Sequence, residues 1–273
     1  MKKKYDFPTQ TSLKKRWMLW RWSGIFLLLL LLVGFAESDR RQRQCKEIHI
    51  EIDHGIPSHH FITENEVYAV IHSPHLNPMG KKLSDINMAV LESSIGENPF
   101  VENAEVFSTI DGRVIFKITQ RNPLMRIINR QNEQYYVDTQ GGFMPLCATY
   151  TADVPLATNV PNAFFKMGAI STTSPPDSFT VLHHLFQIAR FIVADQWWNA
   201  FVQQLHVNEQ DDIELIPRIG DHVIVLGSAE RLEEKLENLK YLYTHGFRAI
   251  DGSRYSVINL KFRNQIVCTK KNQ

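Results

Sequence analysis

The chain has 273 residues, enough for one or two folded units, and its 30 basic and 29 acidic residues leave a net charge of +1. The balance is uneven: residues 1–21 carry +6 and the other 252 carry −5, so the body lacks the basic face that a nucleic-acid binder needs. A hydrophobic fraction of 44% excludes wholesale disorder, and three cysteines without a CxxC exclude a disulfide-dense scaffold and a zinc ribbon.

From Trp22 to Ala36 run 15 residues without a charge, among them six consecutive leucines, Leu27 to Leu32. At ~1.5 Å per residue they fall short of a ~30 Å hydrocarbon core, but a span that begins at Trp17 has 20 residues and suffices. Arg21 would snorkel to the headgroups, and Trp17, Trp20 and Trp22 would form an interfacial belt. Residues 17–36 therefore read as a transmembrane helix. Gly34-Phe35-Ala36 has the small residues of a signal-peptide cleavage site, but the long polar lead and the tryptophans favour an uncleaved anchor. The basic entry side puts the tail, residues 1–16, in the cytoplasm and residues 37–273 across the membrane. Residues 37–46 read as a polar stalk.

Ile48 to Ile52 alternates apolar and polar, as a half-buried strand does. Thr63-Glu64-Asn65-Glu66 has the form of a capping box before a stripe of Val67, Val70 and Ile71. Leu83, Ile86 and Val90 form a second helical stripe, which Asn98-Pro99 stops. Val106, Ser108 and Ile110, then Val114, Phe116 and Ile118, alternate around Asp111-Gly112, the signal of a two-residue hairpin turn. Strand, helix, helix, strand, strand over 47–121 predicts a small α+β domain with helices on a three-stranded sheet.

Residues 122–273 predict a second, mixed domain. Strand pieces lie at Arg126–Ile128, Gln134–Val137 and Phe143–Leu146. Ser171–Pro176 is a loop, and Asp177 or Ser178 can cap a helix with Val181, Leu185, Ile188 and Ile192 on one face. Short strands follow at Gln204–Val207, Ile213–Ile216 and His222–Leu226, then a helix over Ala229–Thr244. Tyr255–Phe262 and Gln265–Thr269 form a closing hairpin around Arg263-Asn264.

Chemistry is hard to find. His59-His60 and His183-His184 are adjacent pairs, whose side chains diverge on a helix or a strand, so neither is a metal clamp. Gly227-Ser228-Ala229 lacks the second glycine of a nucleophile elbow, and Ser228 reads as a helix cap. Asp138 reads as a turn aspartate bonding backbone amides. Cys45, Cys147 and Cys268 are far apart; Cys147 and Cys268 could pair, but free thiols are the simpler reading. No catalytic, cofactor or metal site and no small-molecule substrate is predicted. What remains is the last strand, a sheet edge with high strand propensity and no proline, either a docking edge for a partner's strand or an edge under the protein's own loop. A proline at Val267 would remove a ladder donor and weaken partner binding; which amides face the partner is open, so Ile266 is tested in parallel.

Several stretches together resemble the bacterial cell-division family FtsQ/DivIB. They are Phe61-Ile62-Thr63-Glu64-Asn65-Glu66-Val67, Ile95 to Val106, Ile118 to Pro123, and Tyr135-Tyr136-Val137-Asp138 with Gly142 and Met144-Pro145-Leu146. Val154-Pro155-Leu156, Val225-Leu226-Gly227 through Lys235-Leu236, and Asn259 to Val267 continue the order. Asn159 departs from the pattern, standing where the family tends to have a glycine whose left-handed backbone asparagine tolerates. The resemblance implies a membrane-anchored POTRA domain followed by a β-domain, with no catalysis, at the division septum of the inner membrane. It implies scaffolding of FtsB-like and FtsL-like bitopic partners in the periplasm. Strand addition would fall on Arg263, Asn264, Gln265, Ile266, Val267, Cys268 and Thr269, and the POTRA domain would aid recruitment. An anchored periplasmic enzyme and an envelope chaperone are the rival readings.

Overall fold

The computed structural model describes residues 22, 24–31, 43–56, 59–161, 180–247 and 252–271. Residues 22 and 24–31 are helical and exposed. Among the described residues no helix is long and apolar enough to cross a membrane. The expected span 17–36 lies largely outside the described residues, as do the tail, the stalk up to residue 42, the Ser171–Pro176 loop and the expected cap at Asp177 or Ser178.

The described residues form two compact units, one drawn from 1–51, 64–95 and 104–118, the other from 52–63, 96–103 and 119–273. The first is built on strand β1 (Glu47–Asp53), helix α1 (Glu64–Ile71), helix α2 (Met88–Gly96), and strands β2 (Val101–Ser108) and β3 (Arg113–Gln120). The sheet order is β1-β3-β2, so the most buried strand takes the centre. Val114, Phe116 and Ile118 alternate along β3 and are fully buried, and Ile48, Ile50, Val67, Ile71, Leu91 and Ile95 are buried with them.

Three expectations change here. The second helix starts at Met88, and its inward face is Leu91 and Ile95; Val90 is 46% exposed. Asn87 explains the shift: its Oδ1 accepts from Val90 N, which starts the helix after it and leaves Leu83–Asp85 as a separate 3-10 turn. The β2–β3 turn has three residues, not two. Thr109 N donates to the Arg113 carbonyl, Gly112 N donates to the Thr109 carbonyl, and Gly112 takes φ +94°. Residues 43–46 are not free stalk: Cys45 N donates to Lys81 O, Leu83 N to Arg43 O, and Lys46 N to Gly112 O.

The second unit is a nine-stranded mixed sheet. Its strands are β4 (Pro123–Asn129), β5 (Gln134–Asp138), β6 (Phe143–Met144), β7 (Leu156–Val160), β8 (Val202–Val207), β9 (Ile213–Pro217), β10 (Val223–Gly227), β11 (Tyr255–Asn259) and β12 (Val267–Lys270). The order is β12-β11-β10-β9-β8-β7-β4-β5-β6. The pairs β4–β7, β7–β8 and β10–β11 are parallel and the other five antiparallel, in line with the expected antiparallel-rich sheet. Helix α3 (Thr180–Ala194) places Leu182, Leu185, Ile188 and Ile192 in the core that the strands share. Helix α4 (Gln196–Phe201), which the sequence reading omitted, starts at Asp195, whose Oδ1 accepts from Trp197 N at 2.7 Å.

Helix α5 (Leu232–Tyr241) is shorter than expected. Ser228 is not its cap: the residue before the helix is Arg231, at φ +53°, and Ser228 Oγ accepts from Glu230 N in the preceding turn. Lys235 is buried because its ammonium donates to the carbonyls of Leu226 and Ser228 at 2.9 Å each. Asn159 lies at φ +57°, the left-handed backbone its sequence position suggested. It falls where the β4–β7 register shifts, and its Nδ2 donates to the Val207 carbonyl at 2.6 Å.

Asn159→Ala should lower the unfolding free energy by about 1–3 kcal/mol, through left-handed strain and a lost hydrogen bond. Asn159→Gly should lose only the hydrogen-bond part, and urea titration separates the two. His59, His184 and His222 are all held below the ordinary value of 6.5, chiefly by burial. A depressed histidine stabilises the fold above its unfolded value and loses that contribution as the pH falls through its folded value. Urea midpoints should therefore fall from about pH 7.5 to about pH 5, and replacing all three by glutamine should flatten that dependence.

Candidate functional site

Strand β12 forms one end of the nine-stranded sheet and, among the described residues, is bonded on one side only, to β11. It starts at Val267, two residues later than expected, and extends one residue further, to Lys270. Arg263 and Asn264 form the turn, with Asn264 at φ +59°; Gln265 and Ile266 lead from the turn into the strand. Thus Val267, Cys268 and Thr269 are brought onto the edge itself, and Arg263, Asn264, Gln265 and Ile266 are brought beside it. Lys270 belongs to the edge and was missed, because a terminal lysine pair reads as a strand stop.

The direction of each edge amide follows from the ladder. Lys271 N donates to the Arg254 carbonyl at 2.8 Å, so it points inward. Directions alternate along an antiparallel strand, so Thr269 and Val267 also point inward, and the N–H and C=O groups of Cys268 and Lys270 face the open side. The irregularity at this ladder lies in β11, between Tyr255 and Val257, and leaves the alternation of β12 intact. Side chains divide by face. Ile266 and Cys268 pack against the core, while Val267 is 41% exposed. Burial pushes the Cys268 thiol above its ordinary value.

Beside the edge lies a pocket of about 560 Å³. Asn264, Gln265 and Ile266 line one side, and Tyr241, Leu242 and Gly246 line the other. Leu242–Gly246 is a π-helical turn continuing α5, and it carries the wall toward the edge. Tyr241, in that wall, is 65% exposed, and Phe262, just before the turn, is 49% exposed. Residues 252–271 hold Arg254, Lys261, Arg263, Lys270 and Lys271 and no acidic residue. Lys261 pairs with Asp212 at 2.5 Å and Lys271 with Asp221 at 3.4 Å. Glu234 also lines the pocket, and the arrangement suits an extended segment that brings its own backbone donors and one apolar side chain.

The motif residues at 120–143 build a buried network instead of a reactive centre. Gln120 is fully buried; its Oε1 accepts from Phe61 N at 2.8 Å and Ile62 N at 3.2 Å, and its Nε2 donates to the His59 carbonyl at 3.1 Å. Arg121 donates Nε to Asp138 Oδ2 at 2.8 Å and Nη1 to the carbonyls of Pro99 and Phe143. Asp138 Oδ1 accepts from Gln140 N and Gly142 N, as a turn aspartate does. Gly142 is required by this pair, because a Cβ there would collide with the Arg121 guanidinium and lie 2.9 Å from Asp138 Oδ2. The role of Gln120 had no sequence signal; a buried glutamine is revealed only by its partners.

Among the described residues, no group of three histidine, cysteine or acidic side chains is placed to hold a metal ion. Cys45, Cys147 and Cys268 are all free thiols, so Cys147 and Cys268 do not pair.

Comparison with known families gives two matches. A model described as FtsQ/DivIB, C-terminal related, matches residues 122–269, and one described as POTRA-like domain matches residues 43–119. No curated protein matches the chain.

Gln120→Leu should cost about 3–5 kcal/mol, since it leaves two N–H groups and one carbonyl without partners. Gln120→Glu, which keeps the acceptor and loses the donor, should fall between it and the parent. Chemical denaturation of the three proteins checks the order.

Proposed function

The chain belongs to the FtsQ/DivIB family, and we propose that it is a division scaffold that holds a partner by strand addition at β12. The family is one of non-enzymatic cell-division scaffolds, so a general role in cell division comes with membership. The finer reading is as follows. Residues 17–36 anchor the chain in the inner membrane with the tail in the cytoplasm. A POTRA domain over 47–121 and a β-domain over 122–273 lie in the periplasm. The scaffold binds an FtsB-like bitopic protein, and through it an FtsL-like one, at the septum, linking early and late division proteins. No reaction is catalysed.

The observation that carries this reading is the open side of β12. Cys268 and Lys270 offer two N–H and two C=O groups with no strand beside them among the described residues. A sheet edge in this state is a template for another strand, and natural proteins either blunt such an edge or use it. Main-chain bonds would give the affinity. The adjoining pocket and the basic surroundings would give the choice of partner.

The test compares two prolines on the same strand. Cys268→Pro removes an outward donor and leaves the inner ladder whole, so it should weaken capture of the FtsB-like partner at least about tenfold while the protein stays folded. Val267 is not the position whose proline weakens binding directly, as the sequence suggested: its N–H faces β11, so Val267→Pro removes an inward donor and should lower stability first. Unchanged binding by a folded Cys268→Pro protein would contradict the edge as the site. A fluorescent fusion to the cytoplasmic end should gather at the division site. An even outline of the envelope from an intact, functional fusion would contradict the wider reading.

A further inference from the structure

The β2–β3 hairpin ends in an isoleucine that the fold leaves bare. Ile110 is 73% exposed at the apex of the three-residue turn, a place where turn chemistry favours polar residues. The apex is strapped to the beginning of the folded chain. Lys46 N donates to the Gly112 carbonyl at 2.9 Å, and the Arg43 guanidinium donates to the Ile110 carbonyl. Cys45 N donates to the Lys81 carbonyl at 2.9 Å. Arg43, Lys46, Lys81 and Lys82 are thus gathered at one end of this unit with Ile110. Asp111, the acid in the turn, is bonded to Arg113 at 2.7 Å.

The same end is where the chain arrives from its apolar N-terminal stretch. Residues 25–31 are helical, with Ile25, Phe26 and the five leucines all more than half exposed. Six residues separate Ala36 from Arg43, and seven Cα steps reach at most about 25 Å. A tether of that length holds the apex close to whatever surface the stretch enters, at a high effective concentration.

We infer that the β2–β3 apex is a membrane contact, with Ile110 in the interfacial layer and the basic cluster against anionic headgroups. The inference rests on the reading of residues 17–36 as a membrane anchor. An exposed apolar side chain beside several cations is what an interfacial anchor needs, and neither part suffices alone. The contact would fix how the first unit is turned against the bilayer.

The test uses the full chain in phosphatidylcholine–phosphatidylglycerol vesicles. In a Cys147→Ser, Cys268→Ser background, Ile110→Cys is labelled with a polarity-sensitive fluorophore; Cys45 is 2% exposed and stays unlabelled. Ile219→Cys, at an isoleucine 78% exposed in the other unit, is the control. Lipid-borne doxyl quencher should reduce emission from position 110 about twofold, with a blue shift, and leave position 219 unchanged. The effect should shrink in pure phosphatidylcholine. Flotation after an alkaline wash of the same sample reports the anchor. Protein that floats without quenching at 110, or with equal quenching at 219, overturns the contact and leaves the anchor standing. Protein that does not float overturns the anchor and the contact with it. Quenching that is as strong in pure phosphatidylcholine overturns the role of the basic cluster.

Discussion

Two neighbouring side chains at the end of β3 carry the constraint on which the second unit depends. Gln120, the last residue of β3, and Arg121, which follows it, take different sets of partners from one stretch of backbone. Gln120 holds the backbone of residues 59–62, and Arg121 holds Asp138 together with the carbonyls of Pro99 and Phe143. Three segments far apart in sequence are thereby fixed where β4 begins. The Arg121–Asp138 pair is largely buried, and a buried pair of charges is tolerable only when its remaining donors and acceptors are satisfied. Here the backbone amides of Gln140 and Gly142 and two carbonyls satisfy them.

From that fixed start the sheet grows outward. β4 takes β5 on one side and β7 on the other, and β7 leads through β8, β9, β10 and β11 to β12. Each strand is placed by its neighbour. The register shifts at Leu124, Asn159, Gln203, Leu226 and Ser256, and Asn159 at φ +57° and Gly227 at φ +78° supply left-handed backbone at two of these places. Aromatic packing of Phe201, Tyr243 and Phe247 supports the far end, and Cys268 and Ile266 attach β12 to the same core. The edge is firm on its inner side and, among the described residues, unpaired on its outer one. That combination suits a preformed template, since little ordering remains to be done by a partner.

Much of this was legible in the sequence, for identifiable reasons. Alternation gave β3, a sustained 3.6-residue stripe gave α3, and the family pattern, with a glycine where Asn159 stands, gave the left-handed backbone there. The misses share a cause, which is that decisive groups act through backbone atoms that composition does not show. Asn87 moved the start of α2 by capping it. Arg231, an unlikely residue for φ +53°, rather than Ser228, opens α5. Helix α4 is too short for periodicity to register. The edge was found because a last strand is often an outer one. Its exact bounds and the inward or outward sense of its amides needed the ladder to β11.

Amide hydrogen exchange on β12, with and without the proposed FtsB-like partner, tests the central claim most directly. The amides of Val267 and Thr269, bonded to β11, should be protected in the free protein, and those of Cys268 and Lys270 should exchange quickly. Partner binding should slow Cys268 and Lys270 selectively. Unchanged exchange at these two amides under saturating partner would contradict the account.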